Sequence, residues 1–267
     1  MNSLISKTFE TLSSKKKKAI IPFLTANFPN RSVFLELLYA LPDEGAHIIE
    51  IGIPFSDPMA DGKVIQKTSE IALKQQFNLN QCLQDIAGFK KTHPTIPIVI
   101  MTYINPLIKF GIHEFLSSAE NVGVDGLLMV DVPAENHEKI IKRPTQLDMI
   151  RLVTPTTNSD RLPIIQDHSS GFIYYVSVKG ITGSQVPNPD VVQAHLNVIS
   201  SQLHLPMVIG FGISSISIAK QMAAIADGIV IGSSFLKPFL DSSSTLPNIV
   251  KQQLSFIRSI SSAINHE

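Results

Sequence analysis

One cysteine serves the whole of a 267-residue chain. Cys82 therefore has no partner for an internal disulfide, which points to a reducing compartment, the cytoplasm, and nothing beside it marks an activated thiol. Charge of one sign is missing too. Twenty-two Lys and Arg balance 22 Asp and Glu, and only 16% of residues are charged, whereas a nucleic-acid binder would show a basic face. The one basic run, Lys15 to Lys18, reads as a solvated helix end. The apolar residues behind it are cut by Pro22 and by the turn Asn27-Phe28-Pro29-Asn30, so it does not open a signal peptide. No stretch approaches the roughly 18 consecutive apolar residues of a membrane helix. There is no linker or low-complexity block, and Ser242 to Thr245 reads as an ordinary loop, so residues 1–267 are read as one domain.

What the chain does have is alternation. Short apolar, β-branched runs lie at Ala19 to Ala26, His47 to Ile53, Pro97 to Ile104, Gly126 to Pro133, Met149 to Pro155, Phe172 to Val178, Pro206 to Ile213 and Gly228 to Phe235. Between them lie helix-like segments such as Val33 to Leu41, Val64 to Gln75, Ile112 to Asn121, Glu135 to Arg143, Pro189 to Leu203 and Ser214 to Ile225, with Leu246 to Ile264 after the last. Eight strand-helix units in a chain of this length predict a parallel (β/α)8 TIM barrel with a short extra helix before the first strand. A doubly wound open sheet is the rival, but it commonly uses fewer strands and a G-x-G-x-x-G after the first. Here that place reads Thr25-Ala26-Asn27-Phe28.

Glu50 interrupts the second apolar run. Ile49, Ile51 and Ile53 share one side of that strand; Ile48, Glu50 and Gly52 share the other. A carboxyl group buried there favours its protonated form, which is how a general acid/base is tuned to work near neutral pH. The residues alone leave a structural carboxylate bonded to a nearby amide as an equal alternative. In a barrel, chemistry belongs at the carboxyl ends of the strands, where Glu50, Asp61, Tyr174 and several glycines fall. Gly183, Gly212, Gly232 and Ser233 follow strands six, seven and eight, and are read as a phosphate cradle in which glycines let backbone N–H groups close on the anion.

The segment E-I-G-I-P-F-S-D-P-M-A-D-G from Glu50, with M-T-Y-I-N-P from Met101, V-D-V-P from Val130, G-I-T-G from Gly180, G-F-G-I-S from Gly210 and I-G-S-S from Ile231, resembles the alpha subunits of tryptophan synthase over nearly the whole chain. The resemblance implies retro-aldol cleavage of indole-3-glycerol phosphate to indole and glyceraldehyde 3-phosphate. It also implies a partner beta subunit in an alpha2-beta2 tetramer. The partner would carry pyridoxal phosphate and receive the indole; no metal or cofactor is expected in this chain. Carried over by position, Glu50 is the proton shuttle and Asp61 the carboxylate facing the indole N–H. Tyr174 is the pocket tyrosine, Thr182 the lid threonine, and Phe23, Leu128 and Phe211 line the indole slot, although ordinary barrel core explains those three equally well. Asp57 and Pro58, with Asn105, Pro106 and Pro133 on the same rim, are the expected face for the partner.

Rival chemistries fit less well. A metal-dependent aldolase wants His and carboxylate ligands at several strand ends, but His93, His113, His137, His168, His195, His204 and His266 fall in helices, loops or the tail, and His47 lies at the wrong end of its strand. Lys179, the candidate for a Schiff base, has opposite parity to Tyr174 and should point away. The chain also departs from the family pattern. Asn27 and Phe28 stand where glycine and aspartate are usual, Val178 stands in place of an arginine, and Ser184 to Pro189 lacks the lid arginine. A weakly catalytic subunit that mainly binds and activates its partner is therefore the second hypothesis.

Overall fold

The computed structural model describes residues 3–176, 189–210, 212–241 and 244–265. Helix α1 (Leu4–Ser14) precedes β1 (Ala19–Thr25), α2 (Arg31–Ala40), β2 (Ile49–Gly52), α3 (Lys63–Lys74), α4 (Leu79–Thr92), β3 (Ile98–Thr102), α5 (Ile104–Phe110), α6 (Ile112–Val122) and β4 (Gly126–Met129). There follow α7 (His137–Ile140), β5 (Asp148–Val153), α8 (Leu162–Asp167), β6 (Ile173–Tyr175), α9 (Pro189–Ser200), β7 (Met207–Ile209), α10 (Ile216–Ile225), β8 (Gly228–Ile231), α11 (Ser233–Leu236) and α12 (Leu246–Asn265). All eight strands are parallel and close in sequence order, β1 to β8 and back to β1, as the eightfold alternation requires.

Local chemistry sets the helix starts. Side-chain oxygens of Ser3, Asn30, Asn78 and Ser215 accept the N–H three residues on and open α1, α2, α4 and α10. The strands are apolar on both faces because one face fills the barrel and the other meets the helices; every residue of β1 is buried. Helix α1 plugs the amino-terminal end of the barrel: Ile5 packs over Gly126, Phe9 meets Phe172 at 5.8 Å between ring centroids, and Ser3 Oγ bonds Asp148 at 2.5 Å.

The register sorts the two faces. Phe23 pairs with Glu50, Gly52 with Met101, Met101 with Leu128, Leu128 with Ile150, Leu152 with Tyr174, and Tyr174 with Val208. Val208 pairs with Gly228, and Ile21, two residues before Phe23, pairs with Val230. Paired residues in a parallel sheet face the same way, so this ring of pairs returns to itself with one parity. It places Phe23, Glu50, Leu128 and Tyr174 on one face, the lumen. Arg151, of the opposite parity, bonds groups in the surrounding layer.

Several boundaries differ from the sequence reading; the runs Gly126 to Pro133 and Pro206 to Ile213, for example, are strand only over Gly126–Met129 and Met207–Ile209. The run Pro97 to Ile104 ends as strand at Thr102, and Ile104 already belongs to α5. The run Gly228 to Phe235 ends at Ile231, because Gly232 breaks the ladder and Ser233 to Leu236 turn into α11. Glu135 to Arg143 is helical only in the 3₁₀ turn Ala134–Asn136 and in α7, since its apolar positions are too few for a longer buried stripe. The short α5 and α8 carry too little periodicity to stand out in the sequence.

Candidate active site

Glu50 is 1% exposed and sits inside the barrel on β2. Neither of its carboxyl oxygens finds a hydrogen-bond partner among the described residues, so nothing offsets its removal from water. Burial, and secondly the nearby charge of Asp61, push its pKa up to about 8. The alternative of a structural carboxylate requires a bonding amide, and none among the described residues supplies it.

Asp61 lies in the loop between β2 and α3 and is also buried. Its Oδ2 accepts a hydrogen bond from the Tyr103 hydroxyl at 3.0 Å, and the same hydroxyl accepts the Ala60 N–H at 3.0 Å. Burial raises the Asp61 pKa to about 6, while the bond from Tyr103 pulls the other way. The two carboxyl groups are thus set apart. At pH 7 Glu50 is mostly protonated and Asp61 mostly ionised. Tyr103 was not singled out in the sequence, though it stands within M-T-Y-I-N-P; its role depends on a contact 42 residues away.

Two glycines make room for rings beside the acids. A Cβ on Gly52 would fall 2.3 Å from Phe23 Cζ, and one on Gly210 would fall 1.9 Å from Tyr174 Cε1, so neither position tolerates a side chain without moving an aromatic ring. The Tyr174 hydroxyl reaches Gly210 O at 3.4 Å. Burial holds this phenol well above its ordinary pKa, and the charges of Glu50 and Asp61 add to that, which puts the tyrosine beside both acids. A narrow cavity of about 10 Å3, room for little more than one water molecule, lies among Phe23, Thr25, Gly52, Asp61, Met101 and Tyr103.

The family model for the tryptophan synthase alpha chain matches residues 9–265. The chain belongs to the tryptophan synthase alpha chain family. It is 43% identical over 233 residues to the tryptophan synthase alpha chain of Cupriavidus metallidurans, covering 86% of this chain and 88% of that one. With that of Cupriavidus taiwanensis it shares 40% over 265 residues, 98% of this chain and 99% of the relative. The crystal structure of tryptophan synthase subunit alpha from Legionella pneumophila superposes with a TM-score of 0.91 at 30% identity over the full length of both chains. The activity of this family is cleavage of indole-3-glycerol phosphate, a carbon-carbon lyase reaction of tryptophan biosynthesis.

Within this alpha chain the structure gathers Glu50, Asp61, Tyr174 and Phe23 at the lumen, with Leu128 buried on the same face. Gly212 takes φ +82°, a left-handed turn after β7 that suits glycine. The Ser234 hydroxyl donates to Ile213 O at 2.6 Å and ties the loop after β7 to α11, so Gly212, Gly232 and Ser233 share one rim. Thr182, Gly183, Phe211, Val178 and Lys179 lie outside the described residues.

Asn27 departs from the family's glycine, yet its φ is +65°, a region that asparagine tolerates better than other side chains. Phe28 is buried edge-on against Phe239, with centroids 6.3 Å apart. On the rim Asp57, Asn105 and Pro133 are exposed, and Pro58 and Pro106 half-buried. Met59 and Ile108, which the sequence reading passed over, are 78% and 58% exposed. On the same rim a groove of about 550 Å3 runs past Pro54, Phe55, Asn105 and Pro106. Among the described residues no group of three or more His, Cys, Asp or Glu is placed to hold a metal, and no helix is long and apolar enough to cross a membrane.

Proposed function

We propose that this alpha chain cleaves indole-3-glycerol phosphate with Glu50 as the only proton carrier and Asp61 as a fixed counter-charge. The observation that carries the assignment is the split between two buried carboxyl groups, one raised to about 8 and the other held near 6. Protonated Glu50 gives its proton to the ring carbon that bears the side chain. The ring nitrogen then gains positive character, which ionised Asp61 offsets at the N–H. Glu50, now a carboxylate, takes the proton from the hydroxyl on the adjoining carbon. The C–C bond pair returns to the ring, indole leaves, and the aldehyde of glyceraldehyde 3-phosphate remains. Glu50 ends protonated as it began, so the cycle needs no metal and no further acid.

Phe23, Leu128 and Tyr174, and Phe211 beyond the described residues, form the indole slot in this reading. Gly212, Gly232 and Ser233, with Gly183, hold the phosphate. Support for the latter comes from the left-handed turn at Gly212 and the Ser234 tie, which brings the loop after β7 against the start of α11; their backbone N–H groups are the expected donors. Thr182 would bond Asp61 when the lid closes. Crystals grown with sulfate should place the anion on those amides; an empty cradle at high sulfate, with density elsewhere, would refute it.

The rim of Asp57, Pro58, Asn105, Pro106 and Pro133 is proposed to receive a beta subunit in an alpha2-beta2 assembly, the beta subunit carrying pyridoxal phosphate and accepting indole. Exposed Met59 and Ile108, in the loop of Asp57 and Pro58 and on the helix of Asn105 and Pro106, support docking on this rim. A path to the active site exists, because Phe55 in the groove packs on the Tyr103 ring at 5.3 Å and Tyr103 holds Asp61. The lone cysteine is buried, in keeping with a reducing cytoplasm. The decisive experiment is indole formation by the chain with and without the beta subunit. Loss of indole formation in Glu50→Gln, in a folded protein that still binds substrate, is the expected result; near wild-type turnover would overturn the role of Glu50. The weakly catalytic reading gains nothing from Asn27 or Phe28, whose structural roles leave both acids in place.

A further inference from the structure

At the end of the barrel remote from the active site, a cavity of about 410 Å3 lies between α1 and the segments leading into β2 and β3. Its charged lining is of one sign. Lys7, Lys15 and Lys17 border it, and no carboxylate does. Lys7, Thr11 and Lys15 recur every fourth residue and so line one side of α1 and its cap. Leu12, Ala46 and Ile96 give it an apolar wall.

Two features set this apart from an ordinary solvated lysine run. Lys16 takes φ +56° at the end of α1, where its N–H bonds Ser13 O at 2.9 Å and the Lys17 N–H bonds Leu12 O at 2.8 Å. Glycine is usual at such a position, because a β-carbon there is strained. This turn sets Lys17 at the cavity, where it is half-buried and its side-chain ammonium makes no hydrogen bond or ion pair with a described residue. The neighbouring, larger cavity also touches Lys16, Lys17 and Lys18, but Glu10 and Asp227 line it as well, and Lys18 Nζ is taken by Ala226 O at 2.7 Å. Positive charge without an answering carboxylate is thus confined to the smaller one.

We propose that this cavity is a second anion site, binding the phosphate group of a small phosphorylated molecule through Lys7, Lys15 and Lys17, with its carbon body against Leu12, Ala46 and Ile96. A concave space of this size in a chain of zero net charge suits a small molecule rather than a nucleic acid or a lipid surface.

The cavity contains its own reporter. His47 lines it, with Nδ1 accepting the Ile20 N–H at 3.1 Å. Burial first, and the charge of Lys17 second, bring the imidazole pKa down to about 4. An anion on Lys17 relieves the second cause and raises that value. The test is an NMR titration of the His47 ring in the full chain, first with inorganic phosphate and then with glycerol 3-phosphate, at constant ionic strength. A saturable shift is expected, with affinity about tenfold weaker in Lys17→Gln and in Lys7→Gln/Lys15→Gln, as loss of a charge-assisted bond implies. Indole formation should be unchanged in both variants, and melting curves check their folding. A shift that never saturates, or that matches an equal ionic strength of chloride, or that survives unchanged in folded lysine variants, overturns the site and leaves an adventitious ion only.

Discussion

Glu50 on β2 and Arg151 on β5 are both strand residues with a formal charge, 1% and 3% exposed, and the barrel treats them in opposite ways. Arg151 faces the helix layer. Its Nε donates to His168 O, one terminal nitrogen to Val132 O at 3.1 Å, and the other to His137 Nδ1 at 2.7 Å. The His137 and His168 rings stack at 4.9 Å beside it. Burial draws its pKa down to about 10, which still leaves it charged at neutral pH. Glu50 faces the lumen with no protein partner among the described residues. A buried charge whose hydrogen bonds are satisfied holds structure together; a buried acid left unsatisfied stores free energy that the reaction can draw upon.

The comparison breaks if the two residues respond alike to removal. Glu50→Gln should lower indole formation on the order of 100-fold or more, with the fold intact, and Asp61→Asn should cost a comparable factor because an amide supplies no counter-charge. Arg151→Met should do the reverse. It leaves the carbonyls of Val132 and His168 without their donor and should cost about 2–3 kcal/mol in denaturant unfolding, while kcat of the folded fraction stays within about threefold of wild type. A stable Arg151→Met protein with dead chemistry would erase the distinction.

A smaller effect sharpens it. Tyr103→Phe removes the bond that favours ionised Asp61, so indole formation should fall by about threefold to tenfold. The acid limb of its pH profile should also move upward from about 6, since that bond lowers the Asp61 pKa. An unmoved limb would remove Tyr103 as a positioning residue.

The smallest effect is on stability against pH. Glu50 has a folded pKa near 8 against an ordinary value of 4.5. Between those values the unfolded chain releases a proton that the folded one keeps, so this group lowers stability as pH rises from about 4.5 to about 8 and adds no change beyond. Glu50→Gln should therefore gain about 1–3 kcal/mol relative to wild type at pH 8 and less at pH 5, as followed by urea unfolding. An equal difference at both pH values would mean that Glu50 is already ionised in the folded protein.

The barrel itself was legible because eight apolar runs, each to be buried on both faces, are more strands than a doubly wound sheet commonly uses and suit a closed parallel sheet with outer helices. Glu50 and Asp61 were legible as well, one by interrupting an apolar run and both by the motif around them. Arg151 interrupts Met149-Ile150-Leu152 in the same manner and went unremarked. What separates the two is the face each takes, and that follows from the register of β2 and β5, which pairs residues far apart in the chain. Tyr103 was hidden for the same reason, since its partners Ala60 and Asp61 lie in another loop. The substitution at Asn27 looked like a loss until its left-handed backbone explained why asparagine serves there.

The central claim is that Glu50 is a protonated acid at neutral pH because burial and Asp61 make it so. Site-resolved carbon-13 NMR of the Glu50 side-chain carboxyl across the pH range, in wild type and in Asp61→Asn, tests it directly. The account predicts a midpoint near 8 in wild type, moving downward once the neighbouring charge is removed. A midpoint near the ordinary 4.5 in wild type, unmoved by Asp61→Asn, would contradict it.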